Sequence, residues 1–456
     1  MQNLTDIIIA LATPPGVGAI GVIRLSGHGC ISLVNKFFKG KNLTKQASHT
    51  AHFGRIVDES QKILDECLVT IFKAPSSYTQ EDVVEISCHG STYILESIIR
   101  LFIRQGARNA QRGEFTMRAY LNGQLDLSQA EAVADLIASD SGASHSMAMH
   151  QMRGGFSQEI KNLRQELIDF AALIELELDF GEEDVEFANR SDLKALIQKI
   201  QSIISSLISS FALGNVMKSG IATAIVGRPN AGKSTLLNAL LNEDRAIVSA
   251  IPGTTRDTIE ASMTIHGLVF RFVDTAGIRQ SSDEIEQIGV TRSMHQIAQS
   301  HLILYVVDVT ETTPEELWND ITQYIDESSK CFIILNKMDM NPYTLPQSFY
   351  NPPFIHEHNV ITTSALHKMN IDYLKTAIYQ SIIQENISDK TIVTNSRHYD
   401  ALVKTHISLD SALQGLTTGL TGDFIAMDLR QALHYLGEIV GEISSEDLLD
   451  SIFSRF

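Results

Sequence analysis

Cysteine is scarce in this sequence: Cys30, Cys67, Cys88 and Cys331 are the only four in 456 residues, and no two stand in a C-x-x-C spacing. That excludes a disulfide framework and a cysteine-rich zinc site, and it fits a reducing cytoplasm. Basic residues are short too, 36 Lys and Arg against 54 Asp and Glu, for a formal charge of -18. A surface of that sign does not capture nucleic acid by displacing counterions from phosphates, so any RNA contact has to be local or shared with a partner. Long apolar runs are also missing. The start, MQNLTDIIIALATPPG, has no basic lead, carries Asp6 before a short apolar stretch and is broken by Pro14 and Pro15, unlike a signal peptide. No other uninterrupted apolar stretch is long enough to span a bilayer, so the expectation is a soluble cytoplasmic protein with no membrane contact. Low-complexity tracts and solenoid repeats are absent, and the serine-rich QSIISSLISS keeps helical apolar spacing rather than reading as a linker.

What remains is a chain long enough for two to four domains. Its first part alternates strand-like runs (DIIIALAT, AIGVIRLSG, DECLVTIFKA, EDVVEISCHG) with the helix-like STYILESIIRLFIRQ, which predicts an α+β domain over residues 1–121. From Asp126 the apolar spacing turns to three and four, in AEAVADLIASD and LRQELIDFAALIELEL, and predicts an all-α segment over 122–214 with a break at Phe180 to Asp184. Ile221 to Val226, VFRFVD, HLILYVVD and CFIILN then read as buried parallel strands alternating with helices, an α/β domain over 215–381. Helical spacing returns in HYDALVKTHISLDSALQ and from Phe424 to Phe453, so residues 382–456 supply a second helical segment. The fold class is multidomain, with an α/β domain inserted into a helical one.

Within the α/β part, Gly227-Arg-Pro-Asn-Ala-Gly232-Lys233-Ser234 is a G-x-x-x-x-G-K-S loop between a strand and the helix STLLNALL. Glycines let backbone amides turn inward to cradle phosphate oxygens at a helix amino terminus, Lys233 neutralises β- and γ-phosphates, and the Ser234 hydroxyl ligates magnesium. The nucleotide contacts expected here are Asn230, Ala231, Gly232, Lys233, Ser234 and Thr235. Asp274-Thr275-Ala276-Gly277 follows a strand and sets a carboxylate near the metal and an amide near the γ-phosphate. Thr255, in GTTRD, offers magnesium a second hydroxyl. Asn336-Lys337-Met-Asp339 ends the strand CFIILN, where a carboxylate accepts guanine N1-H and N2-H, hydrogens adenine does not offer. Thr363-Ser364-Ala365 brings backbone amides to the guanine carbonyl. Each short piece alone is ordinary surface chemistry. In this order, each at a strand end, they define a GTPase of the P-loop class.

One position departs from the Ras-like pattern. There a glutamine after D-x-x-G orients the attacking water and an arginine finger stabilises transition-state charge. Here the position is Ile278, which holds no water, and the following segment RQSSDEIEQIG offers Asp283, Glu284 and Glu286 instead.

Three stretches outside the nucleotide loops, IALATPPGVGAIGVIRLSG, GEFTMRAYLNGQLDLSQAEAVADLI and LGEIVGEISSEDLLDSIFSRF, make the whole chain resemble the MnmE (TrmE) family of tRNA-modification GTPases. The resemblance implies an amino-terminal domain that binds tetrahydrofolate and dimerises, a helical domain in two segments and a Ras-like GTPase domain inserted between them. It also implies a homodimer that works with the flavoprotein MnmG, as a heterotetramer or larger, to build a carboxymethylaminomethyl or aminomethyl group on carbon 5 of the tRNA wobble uridine. The one-carbon unit comes from 5,10-methylenetetrahydrofolate, or is mimicked by 5-formyltetrahydrofolate. By motif, Glu286 takes the place of the family's catalytic glutamate. Potassium stands for the arginine finger, held by Asn230 with Ser249, Ile251 and Thr254 of the switch loop, and Ser249 and Thr254 count among the nucleotide contacts. Arg24 and Glu85 match folate contacts, and Gln124 stands where other members carry a lysine. The family's F-x-x-F run, Phe453 to Phe456 here, is followed by a Cys-x-Gly-Lys tail whose cysteine is essential to modification. None of the four cysteines lies near that end, so residues 1–456 alone are expected to hydrolyse GTP without modifying tRNA.

Two other readings compete. A ribosome-assembly switch of the Era or Der type would need a KH-like G-x-x-G module with basic flanks after the GTPase domain, and the acidic sequence has none. A purely structural dimer scaffold would have no use for an intact nucleotide loop.

Overall fold

The computed structural model describes residues 6–179, 189–241, 261–272, 300–322, 330–350, 356–383, 392–443, 449 and 452–453. The chain divides into two compact units, one made of Met1–Ile137, Met149–Gln198 and Lys404–Phe456, the other of Ala138–Ala148 and Lys199–Val403.

The first unit opens with strands β1 (Ile8–Leu11) and β2 (Ile20–Ser26), helix α1 (Cys30–Phe37), strands β3 (Phe38–Lys39), β4 (Thr50–Val57), β5 (Ile63–Phe72) and β6 (Val83–His89), helix α2 (Thr92–Arg104), strand β7 (Arg108–Asn109) and helix α3 (Glu114–Leu121). The strands form one sheet in the order β3-β4-β5-β6-β2-β1-β7. It is antiparallel except for β1 beside β7. Period-two alternation sends Ile23, Leu25, Ile56, Val69 and Ile86 to one face, where they pack with Val34, Phe37, Ile98 and Phe102 in a common core. Burying each such side chain contributes about 1.5–3 kcal/mol. The opposite face carries Arg24 and Glu85, directly opposed across β2 and β6. Strand β4 escapes a reading by β-propensity because Gly54 sits in its middle. The glycine is required: a Cβ there would lie 2.4 Å from the Phe38 ring.

Helices α4 (Leu127–Ala138), α5 (Gly142–Met152), α6 (Gly155–Asp179) and α7 (Arg190–Ser219) follow, as the three-and-four spacing predicts. The break expected at Phe180 to Asp184 lies outside the described residues, between the end of α6 and the start of α7. By length and composition alone α7 is apolar enough to cross a membrane, with a mean hydropathy of 1.4 over its best window. Serines at 202, 205, 206, 209 and 210 interrupt that run, which is why it does not read as an uninterrupted span. Its buried residues Leu193, Ile197, Ile200, Ile204 and Leu207 recur at three and four, the stripe of a helix packed on one side.

The second unit holds strand β8 (Ile221–Val226), helix α8 (Lys233–Leu241), strands β9 (Ala261–Ile265), β10 (Leu268–Phe272) and β11 (Leu302–Asp308), helix α9 (Pro314–Ile321), strands β12 (Cys331–Asn336) and β13 (Val360–Thr362) and helix α10 (Ile371–Ile383). The sheet order is β13-β12-β11-β8-β10-β9, all parallel except the β9–β10 hairpin. All residues of β11 and β12 are buried, as expected for strands covered on both faces. After β8 the chain adds β10 on one side and β11 on the other, so the sheet reverses direction at the carboxyl end of β8. In open α/β sheets that switch point is where ligands sit.

Helices α11 (Ser396–Thr418) and α12 (Gly422–Val440) complete the chain. In the first unit α12 lies along α6, with Arg164 bonded to Glu442 and Arg430 to Glu175 at 3.3 Å. Beyond α12 the chain returns to the α3–α4 corner. Ile452 and Phe453 pack with Leu127 and Ala130, and the Tyr120 hydroxyl donates to Gly441 O at 2.6 Å.

Candidate functional site

At the switch point, residues 227–232 join β8 to α8. Gly227 has φ 144° and a Cβ there would lie 2.2 Å from Val306 O; Gly232 has φ 95° and its Cβ would lie 2.3 Å from Asn336 Nδ2. Both positions exclude a side chain, so the loop is a cradle of backbone, as anion binding at a helix amino terminus requires. Asn230 also has a left-handed φ of 59°, tolerable for asparagine, and stands exposed at the loop tip. Lys233 Nζ donates to Gly227 O and Arg228 O, each at 2.7 Å, and burial lowers the lysine's pKa. Ser234 and Thr235 open α8 with exposed side chains. Arg228 is drawn outward to α9, pairing with Asp320 at 2.7 Å and Glu316 at 3.2 Å. A capping box between Thr313 and Glu316 fixes the start of that helix.

The N-K-x-D and T-S-A loops meet the phosphate loop through Asn336, at the end of β12. Its Nδ2 donates to Ala231 O at 2.9 Å, and its Oδ1 accepts from Ala365 N at 3.0 Å. One buried carboxamide thus ties three loops. Asp339 accepts from Ser364 Oγ at 2.5 Å, and that bond holds its carboxyl below the usual aspartate range. Lys337, at φ 64°, pairs with Asp308 at 2.5 Å. Asp308 was not among the residues expected. The available signal was its position, an aspartate ending an otherwise apolar buried strand, where a charge needs a partner.

The structure therefore brings Asn230, Ala231, Gly232, Lys233, Ser234 and Thr235 together with Asn336, Lys337, Asp339, Ser364 and Ala365. Ser249, Ile251, Thr254, Thr255, Asp274, Thr275, Ala276, Gly277, Ile278, Asp283, Glu284 and Glu286 lie outside the described residues.

On the open sheet face of the first unit, Arg24 Nε and Nη2 bond Glu85 Oε1 at 2.9 and 2.7 Å. The Arg24 guanidinium lies 5.4 Å from the centre of the Tyr78 ring and 5.6 Å from that of Phe115. Gln124 Oε1 accepts from Gln80 Nε2 at 3.0 Å, which joins it to the segment carrying Tyr78. Next to this lies an ion network. Arg118, 1% exposed, reaches Asp6 at 2.6 Å, Glu114 at 3.1 Å and Glu81 at 3.3 Å, and Arg108 closes it on Asp6 and Glu114 at 2.6 Å each.

A parallel sheet with a glycine cradle at its switch point and an N-K-x-D loop locked to it defines a P-loop GTPase. More narrowly, the chain belongs to the MnmE family of tRNA-modification GTPases, and is a GTP hydrolase of tRNA modification. The MnmE helical domain matches residues 127–456, and the GTP-binding protein TrmE N-terminus matches residues 7–124. The tRNA modification GTPase MnmE of Cytophaga hutchinsonii is 51% identical over 457 residues, covering 100% of this chain and 98% of that protein. Its counterpart in Christiangramia forsetii is 49% identical over 474 residues, covering 100% and 99%. The solved G domain of the T. maritima FeoB iron transporter, 20% identical with a TM-score of 0.27, covers 35% of this chain and 97% of its own, a likeness too low to bear on function.

Proposed function

We propose that this protein is a potassium-dependent GTPase that, as a homodimer with the flavoprotein MnmG, installs an aminomethyl or carboxymethylaminomethyl group at carbon 5 of the tRNA wobble uridine. It works in the cytoplasm and apart from membranes. The observation that supports the GTPase part is the double tie of Asn336 to Ala231 and Ala365, which joins the N-K-x-D loop carrying Asp339 to the glycine cradle. Family membership supports the modification part. The division of labour follows the ranges 1–121 for folate and dimerisation, 215–381 for GTP, and 122–214 with 382–456 for the helical domain.

Of the residues expected to hold magnesium and potassium, Ser234 and Asn230 are among the described residues, and both carry oxygen donors exposed on the phosphate loop, which suits hard cations. Ser234, exposed at the start of α8, with Thr255 would hold magnesium beside Asp274. Asn230, exposed at the tip of the cradle, would give its side-chain oxygen to potassium with Ser249, Ile251 and Thr254. A bound cation there supplies the charge stabilisation an arginine finger gives elsewhere. Glu286 orients the attacking water in place of the glutamine that Ile278 displaces. In the first unit, Arg24 and Glu85 hold the one-carbon carrier, 5,10-methylenetetrahydrofolate, with Gln124 at its edge. Tetrahydrofolate suits such a pair because a carboxylate accepts its N–H groups and an arginine meets its carbonyl or carboxylate oxygens.

The test is hydrolysis measured in potassium and in sodium at equal ionic strength. Turnover is expected to be much faster in potassium, and equal rates remove the potassium assignment. Glu286→Ala is expected to keep GTP affinity and lose most of kcat, the mark of a group acting only in the transition state. Weakened affinity with unchanged kcat contradicts that role. Wobble-uridine modification by the full-length protein with its flavoprotein partner, followed by mass spectrometry of the tRNA, tests the remainder.

A further inference from the structure

We propose that Tyr78 and Phe115 are the stacking surfaces of the folate site, and that the pteridine ring takes the place over these rings now filled by the Arg24 guanidinium. The inference rests on the folate reading above and adds two residues and an orientation to it.

The argument begins with what Arg24 does here. A guanidinium is a flat plate of N–H donors, and this one is gripped in two ways. Its Cζ lies over the rings of Tyr78 and Phe115, 5.4 and 5.6 Å from their centroids, and its Nε and Nη2 donate to Glu85 Oε1. The aminopyrimidine edge of a reduced pteridine has the same build: a planar ring in which one carbon bears an amino group and a ring N–H, a cyclic guanidine. A site that grips one by stacking and a carboxylate is shaped to grip the other. Arg24 thus acts as an internal placeholder for the ligand, and once displaced it is free to turn to the ligand's oxygens.

The rings are held rather than loose. The Tyr78 hydroxyl shares a hydrogen bond with Thr116 Oγ1 at 2.9 Å, next in sequence to Phe115, so the two rings are braced to each other. Asn122 Nδ2 donates to Thr79 O at 2.7 Å and Ser26 Oγ bonds Thr79 Oγ1 at 2.7 Å, which fixes the segment carrying Tyr78 to α3 and to β2. The pair is reachable, since the side chains of Arg24 and Glu85 are 28% and 26% exposed. The Gln80–Gln124 contact lies at the rim of the same segment, which places Gln124 against the part of the ligand beyond the two rings.

The experiment is calorimetric titration of 5-formyltetrahydrofolate into the full-length protein and its variants. Tyr78→Leu and Phe115→Leu keep an apolar side chain without a π face, and each is expected to weaken binding about five- to tenfold, while Tyr78→Phe and Phe115→Tyr stay within about twofold. If wild type binds and the leucine variants bind equally well, the stacking assignment is overturned and the folate reading survives. If wild type does not bind, both fall. A second measurement needs no variant: with tyrosine and phenylalanine rings isotopically labelled, the bound pteridine protons are expected to show nuclear Overhauser contacts to Tyr78 and Phe115. Their absence in a saturated complex overturns the assignment.

Discussion

The carboxylate of Asp339, proposed to read the base, is bonded to a hydroxyl. Ser364 donates to Asp339 Oδ1 at 2.5 Å, the largest of the causes that hold this carboxyl below the ordinary aspartate range, and so reinforces the charge that any solvated aspartate carries at neutral pH. Asp339→Asn keeps the shape but presents an amide, which matches xanthine better than guanine. Nucleotide competition assays are expected to show preference moving from GTP to XTP, and an unchanged preference removes Asp339 from base reading. Such residues were legible in the sequence because their chemistry dictates identity as well as spacing: only glycine fits 2.2–2.3 Å from a carbonyl or an amide, as at Gly227 and Gly232. Asp308 was legible only as a charge in need of a partner, and Tyr78 and Phe115 were not legible. What each does depends on a partner brought close by folding, Lys337 for the first and Arg24 for the other two, and no local pattern announces that.

Among elements, α3 carries a buried charge network. Glu114 and Arg118, one turn apart on this short helix, are both 1% exposed as side chains and face Asp6 and Arg108. Hydrogen bonds from Arg108 and Arg118 lower the Asp6 carboxyl. Burial alone would raise Glu114, but bonds from Arg108, the Gln111 N–H and Arg118 outweigh it, and its pKa falls as well. Both carboxyls therefore contribute stability that is fully present above their unfolded values and lost as pH drops through the folded ones, below about pH 4. Glu114→Gln leaves the buried Arg118 guanidinium short of a counter-charge and is expected to cost about 3–5 kcal/mol at neutral pH while flattening the acid dependence. Denaturant melts followed by circular dichroism at neutral and acidic pH check both signs, and a variant as stable and as acid-sensitive as wild type contradicts the account. The sequence reading marks no helix here, since an eight-residue element holding a buried Glu and Arg has no apolar stripe to read. Long elements fared better: β11 and β12 are unbroken apolar runs and α6 repeats at three and four for 25 residues.

At the scale of the whole chain, the three stretches that carry the family resemblance are not spread at random in space. The second and third meet: Tyr120 bonds Gly441, Leu127 packs with Phe453, and Gly113 leaves room for Phe453 O, which a Cβ there would approach to 2.4 Å. These motifs record a long-range closure of the first unit, linking residues more than 300 positions apart. The second unit has its own cores and carries the phosphate loop. Two such units predict two separable unfolding events, and the composition provides a reporter for one of them. The only tryptophan, Trp318, lies on α9 in the second unit, against the core of Leu317, Val307 and Leu335. Phe453→Ala opens a cavity in the first unit worth about 3–5 kcal/mol. It is expected to lower the transition seen by far-ultraviolet circular dichroism while leaving the tryptophan-fluorescence transition in place. GDP with magnesium does the converse: at a hundredfold excess over its Kd it stabilises the unit that binds it by about 2.7 kcal/mol and raises the fluorescence transition alone. If Phe453→Ala moves the fluorescence transition as far as the dichroism one, the units unfold as a single cooperative body and the separation drawn from their packing is wrong.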